Sequence, residues 1–139
     1  MVHGWMDVSA SFQFLVDDLP SSARIIAPDW RGYGLTDWSS ADSYWFPDYV
    51  ADLDGLLEHY APTEPARLVG HSMGGNVAML YAGTRPERVR RLVSLEGIGL
   101  RGFEAAQAPE RYAQWLGELR AAPRLRDYPS QEAVAERLM

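Results

Sequence analysis

The sequence predicts an α/β fold in which parallel strands are joined by helical crossovers, and three observations carry that prediction. Short β-branched runs alternate with longer segments of helical periodicity, the order that lays successive strands side by side in a parallel sheet. The helical segments are closed by prolines, at Pro20, Pro62 and Pro86, where the chain cannot continue a helix. The 139 residues are 47% apolar and 23% charged, enough for one core and too few for two.

The elements follow in chain order. Met1 to Asp7 begins abruptly, running into His3-Gly4-Trp5 with no strand or cap before it. Ser9 is placed to cap a short helix in which Phe12, Leu15, Val16 and Leu19 recur at helical spacing. Ala23–Pro28 is apolar and β-branched, so it reads as a strand. Asp29–Ser43, with Gly32 and Gly34, reads as a loop. Pro47 opens a strong helix to Tyr60, with Val50, Leu53, Leu56, Leu57 and Tyr60 on one face. Ala66–Gly70 is a second strand, Met73–Thr84 a second long helix and Arg91–Leu95 a third strand, followed by a glycine-rich turn from Gly97 to Gly102. From Phe103 the pattern changes. Pro109 starts a helix predicted to turn Tyr112, Trp115, Leu116 and Leu119 inward, Pro123 and Pro129 flank a turn, and Ser130 caps a last helix.

Composition narrows the function. There is no cysteine, hence no disulfide framework, thiolate metal site or cysteine nucleophile. All 13 basic residues are arginine, which excludes a Schiff-base lysine and the phosphate-gripping lysine of a P-loop. A net charge of −6 and no basic patch argue against a nucleic-acid partner. No apolar run approaches a membrane span and the N-terminus lacks the pattern of a signal peptide, so the expectation is a soluble, cytoplasmic protein with no membrane contact. The three histidines, His3, His59 and His71, have no paired spacing, so no metal is expected.

The chemistry concentrates in Leu68-Val69-Gly70-His71-Ser72-Met73-Gly74-Gly75. A Gly-x-Ser-x-Gly run after a strand and before a helix puts the serine on a tight turn in a strained conformation. Gly70 and Gly74 must then be small enough not to clash. Gly75 lets the helix approach the strand, and the helix N-terminus sets positive partial charge beneath the Ser72 hydroxyl. A rival signal, Gly32-x-Gly34 after a strand, suggests a dinucleotide fingerprint, but its third glycine position is Asp37, whose carboxylate would repel a pyrophosphate. The aromatic residues Trp30, Tyr33, Trp38, Tyr44 and Trp45 either line a pocket or pack the loop on the core.

Together these segments resemble the α/β-hydrolase family, in the family's order and over the whole chain. His3-Gly4-Trp5 resembles its His-Gly motif, Asp29 to Asp37 its Asp-x-Arg-Gly-x-Gly-x-Ser loop with Thr36 in place of serine, Gly70 to Gly74 its nucleophile elbow, and Arg90 to Gly97 its sixth strand and exit turn. The resemblance implies residues 1–100 as part of the hydrolase core and residues 101–139 as the start of a helical cap or lid. It implies Ser72 as nucleophile and the backbone N–H groups of Trp5 and Met73 as the oxyanion hole. His3, Gly4, Gly70, His71, Gly74 and Gly75 would support that motif, with His3 structural and His71 packed under the elbow. No cofactor is implied.

The same resemblance exposes what the chain lacks. The family's order is serine, acid, histidine, yet no histidine follows Ser72. Glu96 could take an acid position used by some relatives but has no such histidine to orient. The family's sheet has eight strands on a chain about twice this length, so the reading is a partial hydrolase core with the triad acid and histidine missing. The expected function is hydrolysis of an ester or similar acyl bond of a small molecule, possible by complementation with a missing downstream half. A serine at the elbow speaks against dehalogenases and epoxide hydrolases, which place an aspartate there. The alternative is a catalytically inactive binding or interaction protein that keeps the fold.

Overall fold

The computed structural model describes residues 1–38, 40, 43–99, 102, 104–121 and 127–138. They divide into two units, Met1–Leu100 and Arg101–Met139. In the first, the chain forms α1 (Gln13–Asp17), α2 (Phe46–Tyr60), β1 (Ala66–His71), α3 (Met73–Thr84) and β2 (Val89–Leu95), with 3-10 turns at Ser9–Phe12 and Pro86–Arg88. The α/β class and the parallel pairing hold: β1 and β2 run parallel with Leu68 opposite Leu92 and His71 opposite Leu95. Helix α3 is the crossover between them and packs on both strands, while α2 packs on α3.

Burial explains why these segments meet. Tyr49, Leu53 and Leu57 fall four residues apart on α2 and are buried with Leu68 of β1, Val77, Ala78 and Tyr81 of α3, and Val2 and Trp30. Such a stripe, about one side chain per turn, is what an amphipathic helix offers a sheet or a second helix. The predicted face holds at Leu53 and Leu57, with Val50 packed partly buried against the core; Tyr49 joins it and Tyr60 is exposed. The Tyr81 hydroxyl donates to Asp54 Oδ1 at 2.8 Å and fixes α3 to α2. At the start of α2 the Asp48 carboxylate accepts from the Trp45 N–H at 3.1 Å, half of a capping box, since an indole offers no acceptor to return the bond.

Two predictions at the N-terminal side fail. Ala23–Pro28 forms no strand. A strand needs a partner's ladder, whereas here the Met1 amine donates to the Ile26 carbonyl at 2.6 Å and the next residue, Val2, turns its backbone to β1, in an isolated parallel bridge to Gly70. Nor does Ser9 cap a helix. Val8 occupies the cap, and the Ser9 N–H donates instead to Asp29 Oδ1 at 2.6 Å. The α-helix ends at Asp17, short of Leu19.

The second unit holds a 3-10 turn at Ala105–Gln107, α4 (Ala108–Arg120) and α5 (Gln131–Leu138). Its cap is as predicted, with the Ser130 hydroxyl accepting from the Ala133 N–H at 3.3 Å. The inward face is not: Tyr112, Trp115, Leu116 and Leu119 are all exposed, because two short helices without a sheet offer too little surface to cover the stripe. Leu100, Arg101, Phe103 and the turn around Pro123 lie outside the described residues, as do Ser39, Ala41 and Asp42 of the predicted loop.

Candidate active site

Strand β1 and helix α3 meet at Ser72 without a connecting loop. Ser72 has φ 49° and ψ −113°, a left-handed conformation that costs a side-chain-bearing residue about 1–3 kcal/mol. The turn is held by its own backbone. The Ser72 N–H donates to the Leu95 carbonyl at 2.8 Å, and the Ser72 carbonyl accepts from the Asn76 N–H at 3.0 Å. Its hydroxyl does not cap α3 and has no hydrogen-bond partner among the described residues.

The flanking glycines are demanded by distance. A Cβ on Gly70 would lie 2.5 Å from the Gly74 carbonyl oxygen and 2.7 Å from Gly75 Cα. One on Gly74 would strike the carbonyl oxygens of Val2 and His3. So the elbow is closed against both its own helix and the His3 segment. Gly75 is equally tight, with a virtual Cβ 2.7 Å from Ser94 Oγ and 3.0 Å from Gly97 Cα.

The N-terminal segment reaches the same place. A Cβ on Gly4 would stand 3.2 Å from Ser72 Cβ and 3.1 Å from His71 Nδ1, so Gly4 lies directly against the elbow. His3 is fully buried. Its Nε2 accepts from the Trp30 N–H at 2.9 Å, its carbonyl accepts from the Trp30 indole at 2.9 Å, and its Nδ1 is 2.8 Å from the Gly4 carbonyl. Because a backbone N–H can only donate, Nε2 carries the lone pair and Nδ1 the proton. Trp5 and Met6 are exposed beyond this anchor, and Met73 stands at the first position of α3.

His71 departs from its expected setting under the elbow. Its side chain is 40% exposed, with Nδ1 3.4 Å from Asp7 Oδ2 and Nε2 3.8 Å from Glu96 Oε2. Asp7 went unnoticed in the sequence, since nothing local marks a residue whose partner is 64 positions away. Burial pushes the Asp7 carboxyl up, but hydrogen bonds from the Ser11 hydroxyl and the Val8 N–H, with the His71 ring, outweigh it and hold the group below its ordinary value.

The Asp29–Asp37 loop serves as scaffold. Asp29 Oδ1 accepts from the Ser9 N–H and Oδ2 from the Leu35 N–H at 2.9 Å, while its carbonyl accepts from the Thr36 hydroxyl at 2.7 Å. Thr36 thus supplies the hydroxyl that a serine would. Burial raises the Asp29 carboxyl and those N–H donors lower it further, leaving it depressed. Gly34, at φ 52°, has no room for a Cβ beside that carboxylate. Arg31 grips Asp52 with two hydrogen bonds, Nε to Oδ2 at 2.6 Å and Nη2 to Oδ1 at 2.5 Å, which tie the loop to α2. The aromatic residues divide: Trp30 is core and packs edge-on to Tyr49 at 5.5 Å, whereas Trp38 and Trp45 are exposed. His59 lies exposed on α2 against Tyr60. Among the described residues no acidic, histidine or cysteine cluster could hold a metal, and no helix is long and apolar enough to cross a membrane.

Comparison with known proteins agrees with this geometry. A family model described as alpha/beta hydrolase fold matches residues 1–134. A serine hydrolase-like protein of Danio rerio is 38% identical over 99 residues, which are 70% of this chain and 30% of that protein. A 2-hydroxymuconate semialdehyde hydrolase of Pseudomonas sp. (strain CF600) is 36% identical over 107 residues, 72% of this chain and 36% of that one. Among solved structures, a hypothetical protein from Pseudomonas aeruginosa PAO1 superposes with a TM-score of 0.82 at 34% identity, over 99% of this chain and 49% of that one. The chain therefore spans about a third of the length of these curated relatives and half of the solved one.

Proposed function

The chain belongs to the alpha/beta hydrolase fold family, and from that premise we propose that it carries the nucleophile and oxyanion half of a serine hydrolase acting on a small-molecule ester or similar acyl bond. The observation that supports this most is Ser72 itself: a side-chain-bearing residue at φ 49° on a strand-to-helix turn, its hydroxyl unbonded among the described residues. A protein that needed only the turn would do better with glycine.

In the proposed reaction Ser72 Oγ attacks the acyl carbon while the carbonyl electron pair moves onto its oxygen. The N–H groups of Trp5 and Met73 hold that oxygen. The hydroxyl proton passes to a base, the bond to the leaving alcohol breaks with return of that proton, and water then releases the acyl group from Ser72. No histidine follows Ser72 in the 139 residues, so we assign the base and its acid partner to a segment outside them. We assign residues 101–139 to the start of a helical cap or lid region. The missing histidine also favours a second reading, a fold-retaining binding protein without turnover.

One experiment separates the two. The isolated chain should turn over a p-nitrophenyl ester little or not at all, since triad members act as a unit. The same segment joined to a downstream part supplying acid and histidine should be active and lose that activity on Ser72→Ala. Absence of Ser72-dependent turnover in the joined protein would favour the binding reading. Brisk Ser72-dependent turnover by the isolated chain would instead force His3, His59 or His71 into the role of base.

A further inference from the structure

Three non-glycine residues have positive φ among the described residues: Met6 at 57°, Ser72 at 49° and Glu96 at 61°. They belong to three separate segments, the turn after His3-Gly4, the elbow and the exit of β2, and the side chain of His71 links the three through its chain neighbour Ser72, through Asp7 next to Met6 and through Glu96. His71 precedes Ser72, its Nδ1 faces Asp7 beside Met6, and its Nε2 faces Glu96. Strained backbone persists only where its surroundings over-determine it, and the imidazole is what joins these segments, at 3.4 Å from Asp7 and 3.8 Å from Glu96.

The Asp7 carboxylate is divided between two duties. Oδ1 accepts from the Val8 N–H at 2.8 Å and from the Ser11 hydroxyl, which fixes the start of the 3-10 turn. Oδ2 is turned to His71. The left-handed Met6 is thus held between Gly4, which abuts the elbow, and Asp7, which abuts the ring of the elbow's own histidine. Gly4 permits this, because a Cβ there would stand 3.1 Å from Nδ1 and crowd the ring.

We propose that His71 is a positioning residue for the Ser72 site, bridging Asp7 and Glu96 so that the Trp5–Val8 turn and the exit of β2 keep one arrangement around the elbow. This rests on the reading of Ser72 as nucleophile only for its purpose, which is to hold the Trp5 N–H beside the reacting oxygen. The bridge itself is a statement about the fold.

Backbone ¹⁵N relaxation by NMR on the 139-residue chain tests it. His71→Ala and Asp7→Asn should each lower the order parameters at Trp5–Val8 to below about 0.6 while α2 and α3 keep theirs. The double variant should be no more mobile than either single one, because both remove the same contact. His71→Asn, which keeps an N–H donor at the place of Nδ1, should keep the order of Trp5–Val8 but not that of Glu96–Ile98; a residue acting through bulk alone would show no such division. If His71→Ala fails to fold, Asp7→Asn and His71→Asn carry the comparison. Unchanged order at Trp5–Val8, or additive effects in the double variant, would overturn the proposal. Whether Ser72→Ala removes turnover in the joined protein is a separate measurement, so the bridge and the nucleophile can fail independently.

Discussion

Trp30 donates twice to His3, from its backbone N–H to Nε2 and from its indole to the carbonyl oxygen, each at 2.9 Å. Both residues are buried, so neither acceptor can turn to water. The pair joins the Asp29–Asp37 loop to the segment that lies on the elbow, and it fixes the tautomer of His3.

Trp30→Phe should therefore cost more than lost area. It leaves the His3 carbonyl without its indole donor, a penalty of about 1–3 kcal/mol for a buried acceptor. Trp38→Phe, at an exposed indole, should stay within about 0.5 kcal/mol. Urea unfolding of the two variants checks this, and equal losses would mean that the Trp30–His3 bond contributes nothing net.

Gly70→Ala and Gly55→Ala should change stability in opposite directions. The new Cβ at position 70 would meet backbone at 2.5–2.7 Å, whereas nothing lies within 4 Å of one at position 55 in α2. Overpacking against backbone costs about 1–3 kcal/mol, while alanine for an exposed helical glycine gains about 0.5–1 kcal/mol. Thermal melts decide, and a Gly70→Ala variant as stable as the parent would contradict the elbow's close packing.

Much of this arrangement was legible in the sequence, and the reason differs by element. The elbow was readable because its constraint is local: Gly70 and Gly74 act on a turn of a few residues. Helix α2 was readable from its stripe at Leu53 and Leu57, apart from Tyr49, which was missed, and Tyr60, which is exposed. Ala23–Pro28 was misread because β-branching records only fitness for a ladder, and the partner is not in the segment's own sequence. The inward face of α4 was misread for a related cause, since periodicity shows that a stripe exists and not what covers it. The Asp7–His71 and Arg31–Asp52 pairs were invisible because each joins residues far apart along the chain.

Acid should weaken the first unit through Asp29. Its pKa is depressed in the fold despite burial, by the Leu35 and Ser9 N–H donors. A depressed carboxylate contributes stability above its unfolded pKa, and loses it as pH falls through the folded value. The parent should therefore lose stability below about pH 4. Asp29→Asn should be less stable than the parent by about 1 kcal/mol at pH 7 and show a shallower fall with acid. Parallel pH profiles of the two proteins would show that Asp29 is not a source of the dependence.

Ser72→Gly should stabilise the fold although it deletes the proposed nucleophile. At φ 49° and ψ −113° a serine stores about 1–3 kcal/mol of backbone strain. Glycine releases most of that, at a cost of about 0.5–1 kcal/mol in chain entropy, and because the hydroxyl has no partner among the described residues no hydrogen bond is lost with it. Ser72→Ala keeps the Cβ and so keeps the strain. The expected order in urea is Ser72→Gly above both the parent and Ser72→Ala by about 1 kcal/mol, with the last two within about 0.5 kcal/mol of each other. That order would mark Ser72 as a position where the fold favours glycine and the chain holds a hydroxyl instead. If Ser72→Gly proves no more stable than Ser72→Ala, the turn stores no strain, and the argument from an unfavourable serine to a reactive one loses its support.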